Sequence, residues 1–324
     1  MPDIFPYNKS IDKKIKVAVA KVLDTKVLTA HKIKSGEINH VYKVSTSKGL
    51  FVARVFRYHD WPENGKLEWV EKQLSKLKVP HAKMVYYSKS KTFFPNGFMI
   101  SEFIPGIDGT KAIKKKIISE TKLYFELGSL ASKIHKVRIK RYGHINQGKG
   151  NLSDYIKLQL GGMKETLKPL VNKKFIDNDP YPAIAKLIRK TFKPLRNKIH
   201  PVLLHGDMSE TNLIVTKKNK IIIIDWDGAR AGIWLADFIE LSRRQLFNKD
   251  SWSKNPYRGA RARKAFFQGY GKTNFTEQEI IDTEKTLQII RQARQMHYYA
   301  FDRKDSKKFN IIKGVFYKLL KDQD

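Results

Sequence analysis

The sequence predicts an α+β protein of two lobes, a small antiparallel-sheet lobe at the N-terminus and a larger, mainly helical lobe after it. Three observations carry this. The first hundred residues read mostly as strands, with period-two alternation in their best segments. After Gly106 the apolar positions change to helical spacing. The length, 324 residues, supplies ample material for buried cores.

Taken in order, HVYKVST and LFVARVF alternate apolar and polar residues about the turn SKG, which predicts an antiparallel hairpin. In GKLEWVEKQLSKLKVP, Leu67, Val70, Leu74 and Leu77 fall on one helical face, and Pro80 lies just past its end. FMISEFIPG reads as a strand running into a Pro-Gly turn. Long helical periodicity then runs through SETKLYFELGSLASKIHKV, PAIAKLIRKTFKPLRNKI and most of the stretch from Thr276 to the end. The resulting division is an N-lobe over residues 1–101, a hinge over 102–106 and a C-lobe over 107–324. A cleft between such lobes is the ordinary place for a ligand.

Composition narrows the class. A hydrophobic content of 41% with 29% charged residues is that of a globular chain. No apolar run is long enough to span a membrane, and the start MPDIFPYNKSIDKK lacks the apolar core of a secretion signal, so a cytoplasmic protein is expected. The absence of cysteine excludes disulfides, thiolate metal sites and a cysteine nucleophile. A net charge of +33 attracts polyanions, either nucleic acid or an anionic membrane surface. The lysines are nevertheless dispersed in small groups such as KAIKKKIISE and VTKKNK. That dispersal favours a compositional excess on a solvated surface, and no nucleic-acid motif is visible.

The densest polar constellation is VLLHGDMSETNLIVTKKNKIIIIDWDGARAG, Val202 to Gly232. One apolar strand ends in His205-Gly206-Asp207, a second begins after Asn212, and a third ends at Asp225, with a hairpin turn near KKNK. One carboxylate as base, with another carboxylate and an amide oxygen as hard metal ligands, is what phosphoryl transfer from a magnesium nucleotide needs. Catalysis there consists mainly of positioning and of neutralising phosphate charge.

HGDMSETN resembles the His-Gly-Asp-x-x-x-x-Asn catalytic loop of the aminoglycoside phosphotransferase and choline kinase superfamily, relatives of protein kinases. IDWDGARAGIWLADF is similar to the metal-binding segment of that family, ending in an aspartate a dozen residues on. The resemblance spans roughly Ile33 to Leu241 and implies a protein-kinase-like fold. Carried over by position, it implies that Asp207 is the catalytic base, that Asn212 and Asp225 bind Mg2+, that His205 shapes the loop and that Asp237 braces it. KSGEINHVYKV matches the loop over the nucleotide phosphates, with Ser35, Gly36 and Asn39 offering close backbone approach. FVARVF places Arg54 as the phosphate-pairing cation, with Val52 against the adenine, and a helix glutamate is expected to pair with Arg54. Glu71, which borders the apolar stripe, is favoured over Glu68. Backbone groups of Ser101 and Phe103 are expected at the adenine edge. His135 is expected to be a packed structural histidine.

The function so implied is an ATP-dependent phosphotransferase acting on a hydroxyl of a small molecule such as an aminoglycoside, sugar or amino alcohol, with GTP an alternative to ATP. A polycationic acceptor suits the positive field poorly unless Glu240, Asp250, Glu277, Glu279 and Asp282 build a local acidic pocket. The helical segment RQARQMHYYAFDRK reads either as a helix with one core face and one basic solvated face, or as an acceptor-side surface for an anionic or sugar-like group. Two other functions compete. One is a kinase-like binding protein with little turnover, against which the intact Asp207, Asn212 and Asp225 argue. The other is a kinase docked on RNA or anionic membrane through its basic surface.

Overall fold

The computed structural model describes residues 5–33, 38–239 and 256–322. The chain divides into two compact units, one of residues 1–123, 145–148 and 209–229, the other of residues 124–144, 149–208 and 230–324. Residues 102–106 lie within the first.

The first unit is built on a five-stranded antiparallel sheet of order β1-β2-β3-β5-β4, comprising β1 Val27–Lys32, β2 Asn39–Thr46, β3 Gly49–Phe56, β4 Met84–Ser88 and β5 Phe98–Glu102. The expected hairpin is β2 and β3, closing at Thr46 opposite Gly49. Burial along β2 alternates with the pleat, so Tyr42 and Val44 enter the core while their neighbours are only half-covered. Helix α1, Ser10–Leu23, covers this face with Ile11, Ile15, Ala18 and Val19, which pack with Ala53, Val55, Phe98 and Ile100. A reading of the first hundred residues as mostly strands misses α1. Its buried residues nevertheless recur at helical spacing, three and four apart. Helix α2, Lys66–Lys76, buries Leu67, Val70 and Leu74 as its stripe requires.

Two further strands, β9 Leu213–Val215 and β10 Ile221–Ile223, also belong to this unit, in a small antiparallel sheet with β6, Ile107–Asp108. Gly106 makes the approach possible, because a Cβ there would lie 2.5 Å from the Val215 carbonyl. The Ile223 N–H donates to Pro80 O at 3.0 Å, which ties β10 to the segment between α2 and β4.

The second unit is mostly helical. After α3, Gly109–Lys114, helix α4 spans Glu120–Ile134 and belongs to this unit from Tyr124 onward. Then come α5 Tyr155–Asn172, α6 Tyr181–Phe192, α7 Pro256–Tyr270, α8 Glu277–His297 and α9 Ser306–Lys321. Thr276 and Glu279 form a capping box that starts α8. A short sheet of order β7-β11-β8, from Gly143–His144, Arg230–Gly232 and Val202–Leu204, holds the loop that follows β8. Among the described residues, no helix is long and apolar enough to cross a membrane.

Candidate active site

In the first unit, register brings the two expected metal ligands together. Ile223 pairs with Leu213, so Asn212, just before β9, and Asp225, two residues past β10, lie at the same end of the hairpin. The Ile224 N–H donates to Asn212 O at 3.0 Å. Asp225 takes a left-handed backbone with φ +65°, a conformation short acidic side chains tolerate better than most, and its side chain stays 49% exposed.

Arg54 enters from β3, paired to Val41 on β2 and Met99 on β5, and is therefore on a central strand. Its Nη2 lies 3.2 Å from Asp225 Oδ1 and forms a second ion pair with the buried Asp227. Burial alone would lower the Arg54 pKa, but Asp227 and Asp225 beside it hold it above the ordinary arginine value. Asp227 also accepts from Asn39 Nδ2 at 2.7 Å, and its backbone oxygen accepts from Lys66 Nζ at 2.6 Å. Lys66 is fully buried, paired with Glu63 and seated over the Trp61 ring at 3.9 Å.

This arrangement corrects one expectation. The Arg54–Glu71 pair is not formed, and Glu68 is not among the ion-pair partners of Arg54 either. Glu71 instead accepts from His81 Nε2 at 2.8 Å and from the Met84 N–H at 3.3 Å, where the chain passes from α2 into β4. Two aspartates at the end of β10 are already in contact with the guanidinium, so it needs no helix carboxylate. Asn39 is placed differently from its expected role as well. It is buried, and its side chain serves Asp227. Val52 is half-buried opposite the buried Ser101, while the Phe103 N–H already donates to Leu50 O at 3.2 Å. Ser35 and Gly36 lie outside the described residues.

In the second unit, Asp207 is exposed on the loop after β8. The loop is anchored one and two residues earlier. Asp237, fully buried, accepts from the His205 N–H at 2.7 Å and the Gly206 N–H at 2.8 Å. Gly206 takes φ +83°, which a residue with a Cβ would adopt only at a cost. The Asp207 N–H donates to His205 Nδ1 at 3.3 Å. Behind the loop, His135 Nε2 donates to Asp237 at 3.2 Å and its Nδ1 accepts from the Tyr270 hydroxyl at 3.0 Å. Burial works against the Asp237 charge, yet His135, His205 and the Gly206 amide hold its carboxyl below the usual range.

The same unit contains a cavity of about 630 Å³, within the ordinary size range of small-molecule sites. Its described lining includes Asp207, Tyr155, Gln159, Arg230, Arg291 and Arg294. Arg291 and Arg294 stand three apart on α8 and so share a face. Arg294 Nη2 donates to Gln159 Oε1, on α5, at 3.0 Å. Burial, joined by repulsion from Arg230, pushes the Arg294 guanidinium down to about 10; burial pushes Arg291 likewise to about 10, despite the nearby Asp207. By accessible area Arg294 is exposed, because it faces the cavity, even though protein surrounds it.

Sequence reasoning left three of these groups without a role. Asp227 lies inside the IDWDG motif, two residues after Asp225, so its signal was present. Arg230 lies in the same motif, and its exposure to the cavity follows from β11. Lys66 carried no signal, since a lysine at the start of a helix ordinarily reads as solvated.

A five-stranded antiparallel sheet joined by the β9–β10 hairpin, and a helical unit whose loop hangs from a buried aspartate, make up a kinase-like phosphotransferase fold. The chain belongs to the phosphotransferase enzyme family, which it matches over residues 29–280. A comparison with curated proteins returns no match. Among solved structures, the chain is similar to the choline kinase LicA from Streptococcus pneumoniae, with TM-score 0.66 and 13% identity over 97% of this chain and 100% of that one. It is similar to the aminoglycoside phosphotransferase APH(4)-Ia, with TM-score 0.66 and 12% identity over 95% and 98%. A thermostable mutant of that enzyme in ternary complex with ADP and hygromycin B gives TM-score 0.65 and 14% identity over 97% and 98%.

Proposed function

We propose that this protein transfers the terminal phosphoryl group of a magnesium-bound nucleoside triphosphate, ATP or GTP, to a hydroxyl group of a small molecule. The observation that carries the reading is the end of the β9–β10 hairpin, where Asn212 and Asp225 lie together and Arg54 meets Asp225 at 3.2 Å. An amide oxygen and a half-exposed carboxylate are hard oxygen donors of the kind magnesium takes. Bound there, the metal would neutralise charge on the phosphates. Arg54 offers the triphosphate a guanidinium already oriented by two carboxylates. Adenine or guanine would lie along Val52 and the segment from Ser101 to Phe103. The Phe103 N–H is engaged with Leu50 O, so the base would meet the carbonyl or displace that bond.

Asp207 acts on the acceptor. Its carboxylate takes the hydroxyl proton as the acceptor oxygen bonds to phosphorus and the bond to the nucleoside diphosphate breaks. Asp237 holds the two residues before it, so the base stands on a backbone that cannot drift. The APH(4)-Ia mutant, a structure of similar fold, was solved with both ADP and hygromycin B, which supports a site for a nucleotide and a second small molecule here. Calorimetric titration with magnesium–ATP and magnesium–GTP tests the reading. Saturable binding below about 1 mM, the upper end of ordinary Michaelis constants, is expected. Absence of binding by both nucleotides would overturn it.

A further inference from the structure

The cavity that Asp207 lines also holds an unusual concentration of positive charge. Arg230 begins β11, while Arg291 and Arg294 share a face of α8. Resting on the phosphotransferase reading above, we propose that the acceptor is a hydroxylated anion, a small molecule whose carboxylate or phosphate group is held by Arg230, Arg291 and Arg294 while its hydroxyl reaches Asp207.

Three features support this. Guanidinium groups present a rigid fork of donors that matches the oxygens of a carboxylate or phosphate, and two of these three are oriented from one helix. Arg294 is fixed by Gln159 at 3.0 Å, which costs a ligand less ordering than a freely rotating side chain would. Both α8 arginines also hold their charge away from bulk water: burial above all, with repulsion from Arg230, lowers their affinity for protons, yet they remain charged at neutral pH and an incoming anion would offset that charge.

The carboxylates that could have made this an acidic pocket are engaged elsewhere. Glu277 pairs with Arg263 at 2.8 Å, Glu279 pairs with Lys198 at 2.7 Å and caps α8, and Asp282 accepts from Gln278 at 2.9 Å. None of the three lines the cavity. Glu240 and Asp250 lie outside the described residues. Of the carboxylates in the described lining, Asp237 is bound to the loop backbone and His135, and Asp207 is the base. Glu165 is exposed, and the exposed Lys157, of opposite charge, lines the same cavity.

The test is a matched panel titrated into the full-length protein by calorimetry, each with the non-hydrolysable nucleotide AMP-PNP and magnesium present, then assayed for ADP release with ATP. The carboxylates are glycerate and gluconate, and the phosphate monoesters are glycerol 3-phosphate and glucose 6-phosphate. Glycerol and glucose are the neutral counterparts; choline and hygromycin B are the cations. At least one anion is expected to bind more tightly than its neutral counterpart and than either cation, and the two anionic arms separate carboxylate from phosphate recognition. Arg294→Gln and Arg291→Gln should each weaken that anion about 10- to 100-fold, as expected for loss of a charge-assisted hydrogen bond. Nucleotide affinity should stay within twofold, and thermal melting should show both variants folded. Anion affinity that Arg294→Gln leaves intact would come from the +33 surface and would overturn the proposal. So would preference for choline or hygromycin B with nucleotide binding retained, an outcome that leaves the phosphotransferase reading standing. Anion binding in a protein that binds no nucleotide would do the reverse.

Discussion

Asp207 and Asp225 are both exposed carboxylates at the ends of strands, but their surroundings differ, and the proposed roles differ with them. Asp207 lies on a loop bound to Asp237 and lines the cavity of the second unit. Asp225 stands beside Asn212 and against Arg54. Asp207→Asn keeps the shape and removes proton acceptance, so kcat is expected to fall by about 10² to 10⁴ with little change in nucleotide affinity. Asp225→Asn would remove the charge of the proposed metal ligand and should instead weaken magnesium-dependent nucleotide binding. Nucleotide titrations and steady-state rates on the two variants measure the contrast. Near-normal turnover by Asp207→Asn would remove it from the role of base.

At the scale of elements, the passage from α2 into β4 is held by a charge pair whose histidine has a raised pKa. His81 is buried with Nδ1 2.6 Å from Val79 O and Nε2 2.8 Å from Glu71, so both ring nitrogens face acceptors and only the imidazolium satisfies both. Burial opposes that charge, but the bonds to Glu71 and Val79 prevail and the His81 pKa is raised. The sign follows from linkage. A folded-state pKa above the unfolded value of about 6.5 gives stabilisation that is complete below pH 6.5 and is lost as pH rises through the folded value. An NMR titration of His81 should show a midpoint above about 6.5, and Glu71→Gln should bring it down. A midpoint at or below the ordinary histidine value in the unmodified protein would contradict the pairing.

Across the whole molecule the excess of 33 positive charges is carried largely by lysines in water. Lys13, Lys14, Lys16 and Lys21 are exposed on α1, Lys111 and Lys114 on α3, and Lys307 and Lys308 on α9. They occur in both units and on several helices, as expected of composition. Binding to duplex DNA or RNA should therefore fall in the non-specific range, with Kd about 10⁻⁴ to 10⁻⁶ M at physiological salt, and should weaken steeply as salt rises. Fluorescence anisotropy over a salt series measures this. Tight binding to one sequence that persists in high salt would show a dedicated partner.

Local pattern was enough for much of this molecule. Period-two burial specified the β2–β3 hairpin, the apolar spacing with Pro80 specified α2, and two motifs of short range placed Asp207, Asn212 and Asp225 at strand ends. Those features are legible because each depends on residues within a turn or two of one another. Ion pairing is different, since a charge takes whichever partner the packed chain brings nearest. Arg54 was expected to seek a glutamate on α2, and it found Asp225 and Asp227, more than 150 positions away in sequence. Lys66 looked solvated and is buried against the Asp227 carbonyl. Arg230 and the pair Arg291 and Arg294 come from segments far apart in the chain, and only folding, with α5 packed on α8 and β11 paired to β8, puts all three around one cavity beside Asp207. Motif reading reaches the family and the strand ends; which charges gather around the cavity is decided by contacts between distant segments, which exist only once the chain has folded.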